Sequence, residues 1–181
     1  MLLQTDRLHL HTLGVAYADQ LATYYQENHL HFAEGMPLIT EEYFSKKFHK
    51  QSLSYQKKQM EKMEMFRFYL FLNEDKKMEN IVGDVGLSNI IYGGFLSSTI
   101  GYKLDHCHIN KGYMLEALKR IIAFAFTQLN LHRIEANIMP RNNRSLSLIK
   151  KLGFKKEGYS PNFLKINGKW EDHIRFALLH G

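Results

Sequence analysis

The alternation of apolar and polar positions changes period several times along the chain, and each change marks an element. Leu8, Leu10 and Leu13 alternate with His9 and His11, which predicts a first strand with one buried face. A helix is expected over Val15–Glu27, then irregular chain over Asn28–Pro37. A second, broken helix is expected from Thr40, its N-cap, to about Met65, with Glu41 and Glu42 in its first turn. Two apolar runs, Phe66–Leu72 and Ile81–Leu87, flank the polar turn Asn73–Asn80 and predict a hairpin. A loop at Asn89–Phe95 with the Gly93–Gly94 pair leads to a strand over Ser98–Leu104, which completes an antiparallel meander.

The clearest helical period follows. Met114, Leu115, Leu118, Ile121, Ile122, Ala125, Phe126 and Leu129 recur at helical spacing between Gly112 and Leu129, with Glu116, Lys119, Arg120 and Gln128 opposite them. Asn130 ends this helix. Over Leu131–Ile138 the period drops to two: Arg133, Glu135 and Asn137 share one face, Ile134, Ala136 and Ile138 the other. Strand, helix and strand in this order predict a parallel crossover. A further helix, capped by Asn142 or Asn143, carries Leu146, Leu148, Ile149 and Leu152. It stops at Gly153, with Phe154 packing back. Strands over Phe154–Lys165 and Trp170–Leu179, joined at Ile166–Lys169, close the chain as a hairpin. The expected class is α/β of the α+β kind, one domain over residues 1–181 with a mixed, mostly antiparallel sheet.

Composition changes this picture little. With 181 residues, 45% of them hydrophobic, the chain is long enough to bury a core. No run approaches 18 consecutive apolar residues, and Met1–Arg7 lacks the apolar stretch of a leader peptide, so the expected location is cytoplasmic, away from any membrane. The lone Cys107 cannot form an internal disulfide. Twenty-four basic against 18 acidic residues give a formal charge of +6. That excess suits a nucleic acid, an anionic cofactor or a lysine-rich solvated surface, and no arginine-rich arm or aromatic RNA-binding motif favours the first.

Candidate chemistry centres on Ile100–Glu116, a strand, a short polar loop, a glycine and a helix. The first N–H groups of a helix lack intrahelical partners and carry the positive end of its dipole, so the head of the Gly112 helix suits a phosphate. Lys111 adds charge, although the loop is neither a P-loop nor a G-x-G-x-x-G turn. A second strand-to-helix junction follows at Asn137–Ser145. His106, Cys107 and His108 are too crowded for a zinc site, so no metal is expected. Asp172 and His173 have no G-x-S-x-G partner and make no hydrolase triad.

Three motifs, Asn110-Lys111-Gly112-Tyr113-Met114-Leu115-Glu116-Ala117, Pro140-x-Asn142-x-x-Ser145 and Leu152-Gly153-Phe154-x-x-Glu157-Gly158, resemble the acetyl-CoA motifs of the GNAT superfamily of N-acetyltransferases. Thr5-Asp6-Arg7-Leu8, the Asn89–Phe95 loop and Ile166-Asn167-Gly168-x-Trp170-x-Asp172-His173 are similar to the branch that acetylates ribosomal-protein N-termini, the RimJ type most of all. The likeness covers the whole chain and is thinnest over residues 27–65, where the acceptor site is expected. It implies a GNAT fold with a β-α-β acetyl-CoA-binding core. It also implies acetyl-CoA as co-substrate, held by Tyr102, Lys103, Leu104, Asn110, Lys111, Gly112, Tyr113, Met114, Asn137, Asn142 and Ser145. The acceptor would be an amine, with a protein N-terminus, that of a ribosomal protein included, preferred over a polyamine, amino sugar or amino acid. A non-catalytic CoA- or ribosome-binding module is the reading from another class.

The loop departs from the family pattern [QR]-x-x-G-x-[GA], keeping only Gly112, and Thr99 stands where many relatives have a glutamate. For the general base the resemblance leaves Glu135, Asp84 or a water held by Asn137. Ser145 matches the residue that meets the departing thiol in Rim-type relatives, or else caps its helix. Oligomeric state is not legible in the sequence.

Overall fold

The computed structural model describes residues 1–181. Its frame is an eight-stranded sheet, and its strands are β1 (Leu2–Gln4), β2 (Leu8–His11), β3 (Phe66–Leu72), β4 (Gly83–Ile91), β5 (Ser97–Leu104), β6 (Arg133–Ile138), β7 (Lys155–Ile166) and β8 (Lys169–Leu179). Their order is β1-β2-β3-β4-β5-β6-β8-β7. Every neighbouring pair is antiparallel except β5 and β6. The expected meander, crossover and closing hairpin are all present.

Alternation within the strands sorts side chains onto two cores. On one face Phe66, Phe68 and Leu70 of β3, Val85 and Leu87 of β4, and Ile134 and Ala136 of β6 meet the apolar stripe of α4 (Tyr113–Thr127) and Ile149 of α5 (Asn143–Lys151). Phe124 packs edge-on against both Phe66 and Phe68 at 5.3 Å between ring centroids. On the other face Tyr69 and Phe71 meet Leu21, Tyr24 and Tyr25 of α1 (Ala18–Glu27) and Leu53 of α3 (Lys46–Glu61). A strand covered on both sides reads as an unbroken apolar run, which is how β3 reads.

The departures from expectation are local. Residues 29–33 form a short helix, α2 (His29–Ala33), where irregular chain is expected. Thr40 precedes only a single tight turn, Glu41–Phe44, and makes no side-chain cap. Ser45 caps α3 instead, its hydroxyl accepting from the Phe48 N–H at 3.1 Å. β4 runs past Leu87 to Ile91 because Asn89, at φ 51°, takes up a bulge between Ser88 and Ile91. Leu131 and His132 precede β6 rather than starting it.

The feature that positions the site is the shortness of the parallel ladder. β5 and β6 pair only at Ser97–Arg133, Ser98–Ile134 and Thr99–Glu135. Beyond these, β5 continues to Leu104 and β6 to Ile138 without pairing, so the sheet opens into a gap beside the head of α4.

Candidate active site

At the head of α4, Gly112 is the N-cap with φ 82° and ψ −2°, a left-handed conformation natural to glycine, and it brings no capping side chain. Asn110 is also left-handed at φ 61°. Alternating left-handed residues before a helix turn successive backbone N–H groups toward one point, which makes a concave anion seat. Lys111 is exposed there, while Met114 is buried in the core.

The loop is braced from the other end of the chain. The Glu116 carboxylate accepts from the Thr5 hydroxyl (2.6 Å), the Arg7 N–H (2.9 Å) and the Arg7 Nε (2.7 Å). Arg7 Nη1 donates to the Lys111 carbonyl at 3.0 Å, and the guanidinium lies 4.7 Å from the Tyr113 ring centroid.

Across the gap, Tyr102 of β5 faces Ser145 of α5. Burial pushes the Tyr102 phenol up to about 12, with the nearby Ser145 hydroxyl acting the other way, although no group lies at hydrogen-bonding geometry to the Tyr102 oxygen. It therefore keeps its proton at neutral pH. Asn142 is the N-cap of α5, its Oδ1 accepting the Ser145 backbone N–H at 3.1 Å. Asn137 is half-buried on the β6 face that carries Arg133 and Glu135. Of the expected β5 contacts, Lys103 and Leu104 turn their side chains elsewhere, Lys103 toward Asp84 and Leu104 onto the core, so only their backbone faces the gap.

The two carboxylates named as candidate bases are both engaged. Asp84 is buried, paired with Arg67 Nη1 at 2.9 Å and with Lys103 Nζ at 3.7 Å. Glu135 Oε1 accepts from Arg133 Nε at 2.7 Å, and Arg133 also pairs with Glu157. Each pair engages one carboxylate oxygen closely, and Asp84 Oδ2 has no hydrogen-bond partner. Around the Arg67–Asp84 pair stands a ring of buried aromatics that sequence reasoning missed. Tyr25 stacks on His49 at 5.3 Å, Tyr43 meets both edge-on, and Lys103 Nζ lies 5.5 Å from the Tyr25 ring. Gly86 belongs to this cluster because a Cβ there would meet Arg67 Nη2 at 3.3 Å.

Asp105, His106 and Cys107 bring ligand atoms within 4.8 Å of one another. All three are already engaged: Asp105 Oδ1 accepts the Cys107 N–H (2.6 Å), His106 Nδ1 bonds Asn28 Oδ1 (2.9 Å), and Cys107 Sγ lies 3.2 Å from His106 Nε2.

The chain is similar to known proteins over nearly its whole length. Residues 7–155 match the family described as acetyltransferase (GNAT) domain. The chain is 34% identical to "Probable N-acetyltransferase YjcK" of Bacillus subtilis, over 99% of this chain and 97% of that one. It is 36% identical to the [ribosomal protein uS5]-alanine N-acetyltransferase of Escherichia coli, over 97% and 89%. The crystal structure of the ribosomal-protein-S5-alanine acetyltransferase from Vibrio fischeri superposes with a TM-score of 0.92 at 32% identity, covering 99% of this chain and 96% of that one. With the fold, the helix head and these likenesses in agreement, the chain belongs to the GNAT family, on its RimJ-like branch, and is an N-acetyltransferase.

Proposed function

We propose that this N-acetyltransferase moves the acetyl group of acetyl-CoA onto the N-terminal α-amine of a protein, with a ribosomal protein as the preferred acceptor. The observation that carries the choice is the charge on the sheet face that α1–α3 cover. There Arg67 and Lys103, two cations, share the single carboxylate of Asp84. Beyond the gap, Arg133 and Arg175 balance Glu135 and Glu157 on the neighbouring strands. A polycationic acceptor needs an excess of carboxylates, and neither of these groups of ion pairs supplies one. The similarity to ribosomal-protein alanine N-acetyltransferases supports the same choice.

The reaction is direct transfer. The neutral amine nitrogen attacks the thioester carbonyl carbon, the C–S bond breaks, and the amine's extra proton passes to water. Supplying neutral amine at pH 7 costs roughly 1.4 kcal/mol for an α-amine of pKa near ~8 and roughly 4.6 kcal/mol for a lysine. With Asp84 and Glu135 both ion-paired, the cheaper amine fits, and in this reading Asn137 holds the accepting water. Acetyl-CoA fits the α4 head because Gly112 leaves its first-turn N–H groups uncapped. Ser145, with Tyr102 behind it, donates a hydrogen bond to the departing thiolate.

An acetyl-CoA assay over peptides beginning with Ala, Ser or Met, over polyamines and over aminoglycosides tests the reading. Turnover of the peptides with little turnover of spermidine is expected, and the reverse order overturns it.

A further inference from the structure

We infer that Arg7 is a positioning residue for the pyrophosphate of the co-substrate: it fixes the peptide between Lys111 and Gly112 in the orientation that receives an anion. The inference rests on the reading of the α4 head as the CoA seat.

The peptide unit is planar and trans, so the Lys111 carbonyl and the Gly112 N–H point in opposite directions. With the carbonyl held by Arg7 Nη1 at 3.0 Å, the N–H is turned to the other side of the loop. Glycine at φ 82° would let this peptide rotate at little cost, which would present an oxygen where a phosphate must sit. Arg7 opposes that freedom because it is itself anchored. Its Nε and backbone N–H both bond Glu116, one turn into the same helix. Its own turn is pinned by Asn73, which donates to the Thr5 carbonyl (3.2 Å) and the Asp6 carbonyl (2.8 Å). Burial raises the Glu116 carboxyl, but the Thr5 and Arg7 bonds outweigh it and hold it below the usual range, so the anchor stays charged. Lysine could not replace this residue, since one ammonium cannot span a carboxylate and a carbonyl in a fixed fork.

The experiment is calorimetric titration of the whole chain with CoA, with dephospho-CoA and, as a competitor, with pantetheine, which lacks the pyrophosphate. Arg7→Ala should weaken CoA and dephospho-CoA alike by about 10-fold to 100-fold, the loss expected of a charge-assisted contact, and leave pantetheine unchanged. Arg7→Lys should recover little. Glu116→Gln should give a smaller fall, and the double variant should be no worse than Arg7→Ala alone, because both act through one clamp. Unchanged CoA affinity in folded Arg7→Ala, or an equal loss for pantetheine, overturns the inference. A wild-type protein that binds no CoA overturns the reading beneath it, and shows this before any substitution is made.

Discussion

Asn142 Oδ1 accepts the backbone N–H of Ser145 at 3.1 Å, so the capping of α5 is complete without the Ser145 hydroxyl. Of the two roles that the sequence leaves open for Ser145, the cap is therefore supplied by Asn142. Asn142→Ala should cost about 1 kcal/mol of stability, the usual worth of an N-cap. Ser145→Ala should leave the melting temperature nearly unchanged and lower kcat by about 10-fold to 1000-fold with little change in acetyl-CoA affinity, since its bond forms only as the thiolate departs. Steady-state kinetics and thermal melts on the two variants check the division. A normal kcat in Ser145→Ala would return the residue to a purely local role.

Gly112→Val should reduce CoA affinity far more than Lys111→Ala. A β-branched residue is strained at φ 82°, and its Cβ would lie 3.3 Å from Arg7 Nη2, so the guanidinium must give way by a few tenths of an ångström. An exposed lysine beside a phosphate contributes only about 1 kcal/mol. Calorimetry on both variants, each shown by circular dichroism to be folded, orders them. A larger loss for Lys111→Ala would contradict a seat made of backbone.

Removing the Asp84 carboxylate should be among the most damaging single changes in the chain. Asp84→Ala leaves Arg67 and Lys103 facing each other within the fold, and breaking one side of a buried pair costs about 3–5 kcal/mol. Urea melts measure this directly. Restoring neutrality with a second change, Arg67→Met, should recover part of the loss, and failure to recover any would mean the charges are not coupled.

His49 gives the protein a sensitivity to acid. Burial lowers its pKa to about 4, and it stacks against Tyr25 as the neutral ring. In the unfolded chain the imidazole takes its proton near pH 6.5, whereas in the fold it does so only near 4. Its contribution is therefore whole above about pH 6.5 and is lost as pH falls through that window, by up to roughly 3 kcal/mol. His49→Phe should flatten the stability profile between pH 7 and 4. Parallel profiles for wild type and variant would show that the ring does not titrate there.

What the sequence made legible was what its local period encodes. The α4 stripe, the alternation in β6 and the Asn167-Gly168 turn, with φ 43° and 80°, are short-range signals, and each element stands where they put it. The uncapped helix head at Gly112 was legible for the same reason. The Arg7–Glu116 clamp was not, since its partners are 109 residues apart and neither breaks any local pattern. Asp84 and Glu135 were visible as carboxylates, but their engagement depends on Arg67, on another strand, and on Arg133, two residues away on the same face. Residues 28–45 were hardest, because an α2 of five residues and a single tight turn carry too little sequence to show a period.

The parallel ladder of three residue pairs has a mechanical meaning beyond the room it leaves. It is a seam. On one side lie the strands built from the first 104 residues, and on the other the three strands that follow α4, so backbone bonds between the two groups are few and lie at one end of the line. A pantetheine arm lying along the open end would bond both lips and act as a zipper, making the two halves stiffer together than either is with the seam undone.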